Sequence, residues 1–364
     1  MSGGPRLRVL DDLRGIAILL VLVMHAVTAV FGTSRPAGAP FWSAFVYAGG
    51  SGVTLFFMLS GILVSRPFLR AARDGASINL LDYGVQRALR ILPLYYLVGM
   101  LGMLWTGTLE QAFNVLTFRA NNLDVGEYST VWWSLQTEVQ FYLILPLAFL
   151  VYRAIGGRWL FPLLMIVSFA VVLAFIFGRI SMSSAERAVN LTMSFLGRSP
   201  AFIAGVLIAY LYERGSVPNL PAPVAWPLLI GGVVLLQMVL QHLLDTWGPL
   251  FALRYPPAIL LEAVAWSFIA LVALASGRPL IGRASGFLRY LGRISFSLYL
   301  LHIPIQYVLL SERSRLDLKN DHAVLVLILL CSVLASHVTY WMIERPMLRL
   351  KNRLRPNPIV PEIV

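Results

Sequence analysis

The chain reads as a series of long apolar runs separated by short polar, arginine-rich or proline-rich stretches. Ten runs reach the roughly 20 residues that a helix needs to cross a hydrocarbon core about 30 Å thick. They lie at about 12–32, 50–70, 86–106, 133–152, 159–178, 194–212, 225–243, 256–275, 289–310 and 322–343. Arg6 and Arg8 precede the first run, as in a secretory leader, but Asp11 and Asp12 interrupt the basic stretch and no small-residue cleavage motif follows. The first run is therefore read as an uncleaved span. No linker, repeat or low-complexity segment divides the chain. The expected architecture is an all-α integral membrane protein, with one ten-helix domain over 1–350 and a short basic tail at 351–364, the stretch after Pro346 being read as a loose cytoplasmic end.

Composition supports a membrane solvent. The chain is 58% hydrophobic and 13% charged, with a mean hydropathy of +0.76, against about 25% charged residues in ordinary soluble domains. So few charges cannot coat a soluble particle of 364 residues, and so apolar a chain is not disordered. The net charge of +12 would suggest nucleic acid in a soluble protein, but here the charges sort by side. With the amino terminus inside, 20 of the 29 Lys and Arg fall in cytoplasmic segments, which places both termini in the cytoplasm and argues against nucleic acid as a partner. Arginine outnumbers lysine 27 to 2, as in GC-rich bacterial genomes, so the expected location is a bacterial inner (plasma) membrane. The single cysteine, Cys331, sits in an apolar run and is expected to be a buried helix residue. It offers no disulfide, and no cluster with metal-ligand spacing is present.

Ionisable groups inside spans are costly unless they face a cavity or a partner. His25 lies deep in the first run, and Arg14 precedes it by eleven residues. That spacing is about 20° past three full turns, so the two share a face about 16 Å apart along the axis. In the fourth run Ser134, Glu138 and Phe141/Tyr142 fall on one face, with Glu138 about one turn inside the outer end. Such a carboxylate can orient a histidine, hold a hydroxyl acceptor, carry a proton, or pair with a buried arginine. Arg87 and Arg90, one turn apart at the start of the third run, suit phosphate recognition or positive-inside anchoring equally. Arg66, Arg70 and Arg73 are read as anchors. Ser295, Tyr299, His302 and Gln306 form a polar stripe on an otherwise apolar helix, which Pro304 should kink. The stripe is either a cavity wall or a hydrogen-bonded seam. Glu344 and Arg345 close the last run and are read mainly as structural. Nucleotide-binding P-loop and serine-hydrolase elbow motifs are absent from the sequence.

Six segments in this order resemble the acyltransferase family 3 of integral membrane proteins. They are Arg14-x10-His25, Phe56-Phe-Met-Leu-Ser-Gly-Ile-Leu63, Arg87-x-x-Arg90-Ile-x-Pro93-x-Tyr95, Trp133-Ser-Leu-x-x-Glu138-x-x-Phe-Tyr-Leu-x-x-Pro146, Ser297-Leu-Tyr-Leu-Leu-His302-x-Pro304 and Glu344-Arg-Pro346. Together they extend over about 8–350. The resemblance implies a ten-helix enzyme that moves an acyl group, usually acetyl, from cytoplasmic acyl-CoA to a hydroxyl of a carbohydrate or related small molecule. It implies His25 as a catalytic residue.

Combined with the charge pattern, this leads to an expected mechanism. Arg14, Arg87 and Arg90 would hold the phosphates of acyl-CoA, a co-substrate rather than a resident cofactor. His25, a catalytic base with an ordinary pKa near 6.5, would take the acceptor's proton. Glu138, the second catalytic candidate, would fix the imidazole or bind the acceptor. Trp133, Ser134, Tyr142, Tyr299 and His302 would line the pocket, with Trp133 free to stack on a sugar ring. No metal is expected. The competing class is a proton-coupled exporter of an organic metabolite, although the first five runs find no echo in the second five.

Overall fold

A computed structural model describes residues 5–119, 124–154, 193–248 and 257–353. The main helices are α1 (Pro5–Phe31), α2 (Ser51–Arg73), α3 (Leu80–Thr106), α4 (Trp133–Ala154), α5 (Phe195–Glu213), α6 (Ala222–Trp247), α7 (Pro257–Ser276), α8 (Ser285–Arg293), α9 (Ser295–Ser311), α10 (Asp321–Thr339) and α11 (Arg345–Arg353). A four-residue extended segment, Asp124–Glu127, is the only strand among the described residues. Eight helices there are long and apolar enough to cross a bilayer, and α8 with α9 makes a ninth, bent span. These nine match nine of the ten expected runs. The remaining run, 159–178, lies outside the described residues.

Local chemistry sets the helix ends. Asn79 caps α3 by accepting the N–H groups of Leu81 and Asp82, and Asn320 caps α10 through the Ala323 N–H. Gly107, at φ 71°, closes α3 in the left-handed conformation that glycine adopts without strain.

Water cannot drive helices together inside a bilayer, so association rests on close packing and polar contacts. Glycine supplies the closeness. A Cβ on Gly205 of α5 would lie 2.0 Å from the Met58 carbonyl oxygen of α2, and one on Gly61 would lie 2.4 Å from that of Phe202. Gly15 of α1 and Gly292 of α8 form a second such seam, with the Leu288 and Asp11 carbonyls at 2.1 and 2.3 Å from the corresponding Cβ positions. Helix α1 packs against α2, α7, α8, α9 and α10, and α2 against α4, α5 and α7 as well.

Three sequence expectations change. The break in the ninth span is a 75° bend between α8 and α9, at Ile294 rather than at Pro304, where the glycine seam ties α8 to α1 while α9 turns away. Cys331 lies on α10 but is only partly buried. The polypeptide after Pro346 also stays helical through Arg353, because a five-residue π turn, Tyr340–Glu344, joins α10 to α11 without ending the helix.

The stretch leading into α4 folds back into the bundle. Val125, Tyr128, Val131 and Trp132 are all buried. Tyr128 meets Tyr307 of α9, and Trp132 sits edge-on to Tyr95 of α3. Consequently α4 starts in the protein interior, with Trp133 and Ser134 buried and Glu138 partly exposed.

Candidate active site

Helices α1, α2, α3, α4 and α9 line a narrow, open cavity of about 70 Å³, small beside typical small-molecule sites of about 300–1,000 Å³. Its polar lining is Arg14, Ser60, Arg87, Arg90, Ser134, Glu138, Tyr142, Ser295 and Tyr299; Phe56, Phe57, Leu59, Leu63, Val64, Ile91 and Phe296 supply much of the apolar wall. Seven of the ten residues selected from the sequence therefore meet in one space. His25, Trp133 and His302 are the three that do not line it.

The three arginines define one end. Among the described residues none of Arg14, Arg87 and Arg90 has a carboxylate within salt-bridge distance, and the buried Nε of Arg87 has no hydrogen-bond partner. Arg87 is held over the faces of Tyr83 and Tyr142, at 5.9 and 5.5 Å. Arg14 and Arg90 repel each other, and Asp11, Glu138 and Glu344 offset this from a distance. Glu344 is 5% exposed and accepts a hydrogen bond from Ser297 Oγ at 2.8 Å. It therefore belongs to the electrostatic surroundings of this end. Three cations around one cavity, without direct ion pairs, have the charge to balance an anion of several charges.

Glu138 is oriented by α2 and by its own helix. Ser60 Oγ and Tyr142 OH both donate to its Oε1, at 2.6 and 2.5 Å. Tyr142 stands one turn further along α4, so the i, i+4 spacing seen in the sequence becomes a direct contact. The carboxylate does not hydrogen-bond His25, and its partners are not the ones expected.

The other end leads to the imidazoles. Tyr299 OH bonds the Val131 carbonyl at 2.9 Å and shares a 2.6 Å hydrogen bond with Ser134 Oγ. Both residues line the cavity. Behind it His302, 1% exposed, packs 5.7 Å from the Tyr299 ring and 5.2 Å from the ring of His25. His302 is thus a buried residue behind the wall.

Trp133 takes a different place from the one expected. It is 8% exposed, edge-on to Phe57, with the Arg198 guanidinium 4.9 Å over its ring. That face is occupied, so Trp133 backs the pocket and offers no platform for a sugar. Arg198 and Glu262, at 2% and 0% exposure, were not selected from the sequence. Thr54 donates to Glu262 at 2.6 Å, and the two opposite charges attract across α5 and α7. Arg66 is also no surface anchor. It is buried and bound to Glu213 at 2.6 Å, with Arg70 on the other carboxylate oxygen at 2.8 Å. The available signal for such pairs was a lone charge within an apolar run; the partner's identity was not available.

Comparison with known proteins places the chain in a family. The acyltransferase domain model of acyltransferase family 3 matches residues 8–341, and the chain belongs to that family. Among curated proteins it is 24% identical to acyltransferase MdmB of Streptomyces mycarofaciens, over 98% of this chain and 95% of that protein. It is 25% identical to a Bacillus subtilis protein named "Putative peptidoglycan O-acetyltransferase YrhL", over 93% of this chain and 54% of YrhL. The chain thus spans about half of YrhL. No solved structure gave a significant match. The protein is a multi-pass membrane acyltransferase.

Proposed function

We propose that the protein is a bacterial inner-membrane enzyme that transfers an acyl group, acetyl in the simplest case, from cytoplasmic acyl-CoA to a hydroxyl of a carbohydrate, glycolipid or related small molecule. The observation that carries this reading is the shared cavity in which Arg14, Arg87 and Arg90 stand without direct carboxylate partners. The phosphates of CoA supply the charge such a cluster lacks. The arginine-rich end faces the cytoplasm on the positive-inside rule, which is where acyl-CoA is found. From this mouth the pantetheine arm would extend past Glu138 to the Ser134–Tyr299 end, bringing the thioester toward His25.

At that point the acceptor oxygen attacks the thioester carbonyl as His25 takes its proton. The C–S bond breaks, and the proton passes to the departing CoA sulfur. Glu138, with Oε1 occupied by Ser60 and Tyr142, would present Oε2 to an acceptor hydroxyl.

The test is binding and thioester cleavage of radiolabelled acetyl-CoA by the purified full-length protein beside His25→Ala. Binding by both with turnover only in the wild type supports the proposal. Absence of binding by folded wild type overturns it.

A further inference from the structure

His302 has its ring orientation fixed by α9 itself. Its Nδ1 lies 2.8 Å from the Tyr299 carbonyl oxygen and 3.1 Å from that of Leu298. Carbonyl oxygens only accept, so Nδ1 carries the hydrogen. In the neutral ring Nε2 is then a lone-pair acceptor, and a charged ring here would have no adjacent carboxylate. Nε2 is buried and has no hydrogen-bond partner among the described residues, a condition that costs free energy unless a donor reaches it.

The ring packed against it is His25, at 5.2 Å between centroids and tilted by 51°. An N–H···N bond of about 3 Å between two rings whose nitrogens lie roughly 1.1 Å from their centres gives a separation of about 5.2 Å. The separation equals that value, and a turn of the His25 ring, now tilted by 51°, is the movement the bond would require. No side-chain hydrogen bond of His25 to a described residue opposes this. Tyr299 is the other titratable group packed on His302, and its hydroxyl is committed to Ser134 and Val131.

We propose that His302 is the positioning residue for His25: its Nε2 accepts the N–H of one His25 nitrogen and so leaves the other as the lone pair that takes the acceptor's proton. This rests on the acyltransferase reading above and assigns to an imidazole the orienting role that sequence reasoning gave to Glu138. When the acceptor gives up its proton, both nitrogens of His25 are protonated. The one facing His302 remains hydrogen-bonded, and the other returns its proton to the CoA sulfur as the C–S bond breaks. His302 gains and loses no proton.

The test compares wild type with His302→Asn, which can still donate to the Leu298 and Tyr299 carbonyls but lacks an acceptor at the Nε2 position. In ¹⁵N-histidine spectra of the full-length protein, with His25 assigned by its loss in His25→Ala, wild type should show one neutral His25 tautomer and His302→Asn a mixture. With radiolabelled acetyl-CoA, the variant should bind with unchanged Kd and cleave the thioester at least ten-fold more slowly. An unaltered tautomer, or wild-type cleavage by the variant, overturns the proposal. If wild type cleaves no acetyl-CoA while the tautomer responds as stated, the donor assignment fails and the histidine pairing stands.

Discussion

Ser60 of α2 donates to Glu138 Oε1 of α4 at 2.6 Å, and Tyr142 donates to that same oxygen at 2.5 Å. Both donors converge on one atom, so the second carboxylate oxygen is the one available to a ligand in the cavity. Hydrogen bonds to charged groups contribute about 1.5–3 kcal/mol each. Ser60→Ala should therefore lower acetyl transfer about ten-fold while leaving the fold intact. Glu138→Gln should lower it about a hundred-fold, with acetyl-CoA affinity little altered. Steady-state kinetics beside equilibrium donor binding separate the two effects, and equal loss of binding in both variants would count against the assignment.

Arg14, Arg87 and Arg90 act on donor affinity in the proposed scheme. Replacing any one by alanine should weaken acetyl-CoA binding by about ten- to a hundred-fold, the range of a charge-assisted hydrogen bond. Lysine at Arg87 should restore only part of it, because an ammonium cannot present the planar fork of a guanidinium. Added salt should weaken wild-type binding in the same direction. Isothermal titration in detergent across a salt series checks all three statements.

Arg198 and Glu262 are a buried pair of opposite charges. Removing either charge takes away an attraction that offsets the burial of the other. Arg198→Leu and Glu262→Leu should each lower the thermal unfolding midpoint in detergent, and the double variant should be more stable than the sum of the two losses predicts. Strict additivity would show that the two charges are not coupled.

The α2–α5 seam gives a packing prediction. Gly205→Ala directs a methyl to 2.0 Å from the Met58 carbonyl oxygen, a contact that forces the two backbones apart. It should markedly reduce the yield of folded protein. Gly231→Ala on α6, where no heavy atom lies within 4 Å of the added carbon, should be neutral or stabilising by about 0.5–1 kcal/mol, since helical glycine lacks a side chain and costs backbone entropy. Size-exclusion profiles of the two variants decide the point.

The helical repeat and the apolar runs of the sequence determine the spans, because a bilayer accepts only long apolar segments that satisfy their own backbone hydrogen bonds. The same repeat places Ser134, Glu138 and Tyr142 on one face of α4 and separates Arg14 from His25 by one calculable distance. These are properties of a single helix. What each face meets is not. The turn back into the bundle before α4 buries Trp133 and Ser134 at its start and leaves Glu138 partly exposed to the cavity. The glycine seam between α1 and α8 moves the bend in the ninth span from Pro304 to Ile294. Arg198 covers Trp133, and His302, distant in sequence, comes to rest against His25. Each depends on side chains from separate helices competing for the same space, and only the tertiary structure decides which of them touch.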